Sequence, residues 1–95
     1  MDYEWIKYVA KISDDYTSII FHNLFNQKIE QNTLPEKLIS LTFGENFDQK
    51  IEPNILPENL ITLIFGTCFN QKIELYSLPD LLTTLTFGIR FNQKI

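Results

Sequence analysis

The chain has one cysteine, Cys68, and one histidine, His22, among its 95 residues. A lone thiol rules out an internal disulfide and a zinc site built from cysteines, and it fits a reducing compartment. A lone imidazole with no nucleophile beside it leaves no catalytic pair, and the sequence holds no HExxH, no G-x-S-x-G and no phosphate-cradling glycine loop. Cations are also scarce: eight Lys and Arg against twelve Asp and Glu give a net charge of -4. This balance argues against nucleic acid and anionic membranes as partners, because both recruit clustered positive charge. Nowhere do about 18 apolar residues run together to span a bilayer. Asp2, Glu4, Lys7 and Lys11 interrupt the segment where the apolar core of a secretory leader would stand. No Asn stands two residues before a Ser or Thr, so there is no glycosylation acceptor. The expectation is an intracellular, cytoplasmic protein that is not an enzyme and binds no cofactor or metal.

What is present is apolar and repetitive. A content of 44% hydrophobic and 14% aromatic residues suffices for one folded domain. Phe-Asn-Gln-Lys-Ile begins at Phe25, Phe69 and Phe91, and a near copy with Asp48 begins at Phe47, a constant spacing of 22 residues. On that period Leu34-Pro35, Leu56-Pro57 and Leu78-Pro79 align, each followed by an acid: Glu36, Glu58 or Asp80. Leu38, Leu60 and Leu82 align next, then Leu41, Leu63 and Leu85, then Phe43-Gly44, Phe65-Gly66 and Phe87-Gly88. A first copy is eroded: Ile12, Tyr16, Ile19, Phe21 and Phe25 occupy apolar columns, but Ser13 replaces the proline and His22 the glycine. Terminal repeats commonly lose such features, because one side meets a cap instead of another copy.

Leu41-Thr42-Phe43 and its counterparts alternate with period two, as a short strand with one buried face does. Ile20, Thr42, Ile64 and Thr86 then stand on the open side of a parallel sheet, where β-branched residues fit. Proline with a following acid suggests a tight or 3₁₀ turn. Gly44, Gly66 and Gly88 mark the bend leaving the strand, with φ expected above zero. Stacking in register would place Phe25, Phe47, Phe69 and Phe91 in an aromatic spine. Lys28, Lys50, Lys72 and Lys94 would form a column of like charge at about 5 Å spacing, offset by Glu30, Glu52 and Glu74. The column of Asn26, Asp48, Asn70 and Asn92 reads either as a hydrogen-bonded ladder or as a turn-forming position. Cys68, in the column of Leu24, Asn46 and Arg90, reads as a turn residue, and His22 as a structural or exposed imidazole. Trp5, Tyr8, Val9 and Ile12, at helical spacing behind a possible N-cap Asp2, read as a short amphipathic cap. The sequence thus predicts a mainly β, right-handed leucine-rich-repeat-like solenoid of four 22-residue repeats, with a short parallel sheet, tight or 3₁₀ turns and an N-terminal helical cap. Its parts are a cap over 1–11 and repeats over 12–33 (degenerate), 34–55, 56–77 and 78–95 (incomplete).

With Leu34-Pro35, Leu41-Thr42-Phe43-Gly44 and Phe91-Asn92-Gln93 in place, the unit resembles the FNIP repeat, a leucine-rich-like repeat found in social amoebae and giant amoebal viruses. The resemblance covers residues 12–95. It implies a curved solenoid used for protein contacts, in host cytoplasm for viral members, where some carry an F-box that recruits a ubiquitin ligase. The first dozen residues here are too short to hold an F-box, so ligase recruitment is not expected.

The leading expectation is a protein-interaction module that binds through Ser40, Thr42, Glu45, Thr62, Ile64, Thr67, Thr84, Thr86 and Ile89. Its partner is a protein of unspecified identity. Two alternatives remain: a truncated or decayed remnant of a longer array, and a subunit that self-associates end to end through an uncapped C-terminal end.

Overall fold

The computed structural model describes residues 3–94. Five strands form one sheet in chain order: β1 (Ala10–Ile12), β2 (Ser18–Phe21), β3 (Ser40–Thr42), β4 (Thr62–Ile64) and β5 (Thr84–Thr86). Strands β2 to β5 are parallel and pair as Ser18, Ser40, Thr62 and Thr84, each partner 22 residues beyond the last. Register follows the hydrophobic pattern, since a one-residue slip would turn Leu41 and Leu63 out of the core. Both are fully buried, as are Ile19, Phe47 and Phe69.

The phenylalanines stack in two columns. Rings of Phe25, Phe47, Phe69 and Phe91 follow one another at 6.0, 6.1 and 6.1 Å, and those of Phe21, Phe43, Phe65 and Phe87 at 5.2, 5.5 and 5.6 Å. Within a copy the two rings lie closer, as at 3.9 Å for Phe43 and Phe47. Each offset-stacked contact contributes about 0.5–1.5 kcal/mol beyond the area it buries, so the spine joins neighbouring copies in addition to the three-residue strands.

The Leu-Pro-acid segment forms a tight turn: the N–H of Leu38, Leu60 and Leu82 donates to the carbonyl of Pro35, Pro57 and Pro79, each at 3.2 Å. Gly44, Gly66 and Gly88 do not have φ above zero, contrary to expectation. Their reason is close backbone approach. A Cβ on Gly66 would fall on the Gly44 carbonyl, and one on Gly88 on the Gly66 carbonyl. His22 is tolerated in this column because no parallel copy precedes it; its N–H instead donates to Val9 of the cap at 2.9 Å. Left-handed backbone occurs at Asn32 (φ 62°) and Asn54 (φ 67°) within the variable stretch, a conformation Asn tolerates well. Their counterpart is Tyr76, and there the chain forms a 3₁₀ helix over Leu75–Ser77 instead.

The N-terminal end differs from the single amphipathic helix expected. A 3₁₀ helix spans only Glu4–Tyr8, and Ile12 belongs to β1, which pairs antiparallel with β2 through Ala10–Phe21, Lys11–Ile20 and Ile12–Ile19. Ile6 is the buried residue of the helix, whereas Tyr8 is exposed. Asp2, the expected N-cap, lies outside the described residues; Tyr3 takes the N-cap place without a side-chain bond. Trp5 closes the aromatic stack, 6.3 Å from Phe21 and 6.4 Å from Phe25. In the eroded copy Ile19, Phe21 and Phe25 keep their core columns, but Tyr16 is exposed at φ 62°. Asp15 holds this turn. Hydrogen bonds from the Thr17 hydroxyl (2.7 Å), the Ser13 hydroxyl (2.9 Å) and the Thr17 N–H (3.2 Å) keep its carboxyl below the usual carboxylate range.

Candidate functional site

A three-residue strand with its middle residue buried leaves the two flanking side chains on the outer face. Ser40 and Thr42 flank Leu41 on β3, Thr62 and Ile64 flank Leu63 on β4, and Thr84 and Thr86 flank Leu85 on β5. These six expected residues, with Ile20 of β2, form adjoining columns on the open face of the sheet. Among the described residues no helix or strand packs across it, the strands meeting only their sheet neighbours and β1 also meeting the first 3₁₀ helix. The other three, Glu45, Thr67 and Ile89, stand just beyond the glycine bend. Their column is fixed by main-chain bonds, as Cys68 N–H donates to the Glu45 carbonyl at 2.9 Å and Arg90 N–H to that of Thr67 at 3.3 Å. Ile89 is 90% exposed.

The expected contact residues include Ile64 and Ile89, and Ile20 was expected on the open side, but two further apolar residues of this surface were not anticipated. Ile20 is 49% exposed, and Ile39 and Ile61, one residue before β3 and β4, are 42% and 39% exposed. Each of those two carbonyls accepts two N–H groups of the next copy, Ile39 from Ile61 and Thr62, and Ile61 from Thr83 and Thr84. This bulge-like junction turns the strand entrance outward. A sequence signal existed: Thr17, Ile39, Ile61 and Thr83 form a β-branched column on the 22-residue period.

On the opposite arm, the ladder reading of the Asn column is the one realised. Asn26 Oδ1 accepts the N–H of Asp48 at 2.8 Å, Asp48 Oδ1 that of Asn70 at 2.9 Å, and Asn70 Oδ1 that of Asn92 at 2.9 Å. The same three oxygens each accept an amide hydrogen from Gln49, Gln71 or Gln93 at 3.0 Å. These groups stitch copies together and leave little for chemistry. Of the lysine column, Lys72 reaches Glu74 at 3.8 Å. Shallow depressions lie beside the proline turns, lined by Asn54, Leu56 and Glu58, and beside Tyr8 and Leu24. Among the described residues no group of His, Cys, Asp and Glu is arranged to hold a metal ion, and no helix is long and apolar enough to cross a membrane.

A parallel sheet of identical short strands, closed by turns and filled by stacked Leu and Phe, defines a leucine-rich-repeat-like protein. The crystal structure described as CroV588, a novel circular LRR protein, is similar to it, with a TM-score of 0.81 and 52% identity over 83% of this chain. That match covers 12% of the CroV588 chain. The FNIP repeat family matches residues 25–68 and 69–95, and the chain belongs to it. No curated protein matches the chain.

Proposed function

We propose that the chain is a non-enzymatic protein-interaction module that binds a protein partner through the open face of its sheet. The observation that carries this reading is the face itself: half-exposed Ile20, Ile39 and Ile61 set among Ser40, Thr42, Thr62, Thr84 and Thr86 on strands held rigid by the stack behind them. β-Branched side chains lose little conformational freedom on being covered, and small hydroxyls supply adaptable hydrogen bonds. Repeat proteins commonly use such extended surfaces for partners. The face holds no Trp or Arg, so binding would be spread over several copies instead of concentrated in one anchor.

Affinity capture with the wild-type chain and with a Thr42→Arg/Ile64→Arg variant tests this. Both positions point away from the core, so the variant keeps its fold. Proteins retained by the wild type and lost by the variant support the reading; identical capture by both overturns it. A second reading has one observation in its favour: this chain matches a 12% portion of the longer CroV588 chain, a circular LRR protein, so this chain would serve as a spacer within a longer array. A spacer predicts no face-dependent capture.

A further inference from the structure

We infer that the depression between the Pro57 and Pro79 turns is a binding site for an arginine side chain of a partner protein. A counterpart lies one copy earlier. There Glu36 and Glu58 line a depression of about 370 Å³, with exposed Asn54 at its rim and buried Ile55 beneath it. Between Pro57 and Pro79, Glu58 and Asp80 line one of about 450 Å³, with Tyr76 at the rim and Ser77 beneath. The same columns build both, and the sequence departs from the repeat at the residues that set their chemistry: Tyr76 replaces Asn54, Ser77 replaces Ile55 and Leu81 replaces Asn59. Tyr76 is 73% exposed and Leu81 56%. Asn54 and Asn59, in an internal copy, are exposed as well, so this exposure belongs to the columns and not to their place in the array.

Ser77 is the residue that points to a ligand. It is 4% exposed, and its hydroxyl has no hydrogen-bond partner. In the same column the Thr33 hydroxyl donates to the Glu30 carbonyl at 2.6 Å, and Ile55 has no polar group to satisfy. An unpaired buried hydroxyl costs the fold stability. With no partner to hold it, this one is free to turn about χ1 and accept from a donor entering the depression. Glu58 and Asp80 are exposed, and among the described residues neither carboxylate has a hydrogen bond or an ion pair. Two carboxylates, a hydroxyl acceptor and a tyrosine face are all answered by one guanidinium, which brings five N–H donors, a plane that stacks on Tyr76 and an aliphatic stem that Leu81 covers. A lysine ammonium, compact and strongly hydrated, matches fewer of these groups. Among the described residues no third acid joins Glu58 and Asp80 in a group that could hold a metal ion. The depression shares no residue with the open face of the sheet, so this inference and the binding reading fail separately.

Titration of the isotope-labelled chain with the blocked peptide Gly-Gly-Arg-Gly-Gly, followed by NMR, provides the test. Amide signals of Ser77 and Asp80 should shift saturably, and those of Glu36 and Ile55 should stay in place. The same peptide with citrulline, a neutral mimic of arginine, should shift neither set. Glu58→Gln/Asp80→Asn should weaken binding by about tenfold or more. Ser77→Val should weaken it by about fivefold, whereas Ser77→Thr keeps the hydroxyl and should bind nearly as the wild type does. The column already accepts Thr33 and Ile55, so both Ser77 variants fold. Absence of a saturable shift, an equal response at Ile55, equal binding of the citrulline peptide or unchanged affinity in Ser77→Val overturns the inference.

Discussion

At the residue scale the glycine column decides the spacing between copies. An added methyl at Gly66 meets the Gly44 carbonyl, and a main-chain atom cannot swing aside as a side chain can. Gly66→Ala should therefore cost about 1–3 kcal/mol, as overpacking does. His22→Ala, in the same column of the eroded copy, should stay within about 0.5 kcal/mol; denaturant midpoints compare the two. Ser77 gives the opposite case. Its hydroxyl is buried with no partner, in a column where the preceding copies have Thr33 and Ile55. Removing an unsatisfied buried hydroxyl recovers a desolvation penalty, so Ser77→Val should stabilise by about 1 kcal/mol and raise the Tm.

At the element scale the Asn-Gln ladder runs alongside the sheet and fixes the return arm. Asp48 stands where the other copies have Asn, and a single oxygen, Oδ1, receives both the Asn70 N–H and the Gln71 amide. Asp48→Asn keeps that acceptor and should be nearly neutral, whereas Asp48→Ala leaves the Asn70 N–H to solvent and the Gln71 amide with only the residue-48 carbonyl at 3.3 Å, and should cost about 1 kcal/mol. Urea titration separates these outcomes, and faster exchange at the Asn70 amide should accompany the loss.

Much of this architecture was legible in the sequence, because the 22-residue period names the columns and column identity fixes who stacks on whom. The strands, the phenylalanine spine and the outward residues of β3 to β5 all follow from it. Other features were not legible, for physical reasons. Glycine was expected to supply positive φ, but close approach between backbones selects the same residue and leaves no different trace in the string. The expected helix through Ile12 gave way to β1 because an edge strand at Ser18–Phe21 needs hydrogen-bond partners more than Ala10–Ile12 needs helical ones. Ile39 and Ile61 were passed over because strict period-two alternation puts the residue before Ser40 or Thr62 on the inner side; their β-branched column marks the position, but not the shared carbonyl that turns it outward.

At the scale of the whole molecule, each copy touches only its neighbours, strand and ring partners stand 22 residues apart, and the hydrogen bonds between copies span 21 to 23 residues. No position within the unit is a privileged seam. Deleting residues 45–66 would shorten the chain from 95 to 95 − 22 = 73 residues. Phe87 would then lie on Phe43, Gly88 over the Gly44 carbonyl, and Asn92 would still follow Asn70 while Asn70 followed Asn26. The shortened protein should fold cooperatively with a native-like near-ultraviolet spectrum, at a lower Tm. Removing 21 residues instead should abolish folding, because it turns the strand's inward side chains out. A gene with this property can gain or lose copies by unequal crossing-over at any point within the unit, so array length becomes a quantity that heredity can vary without redesigning the joint.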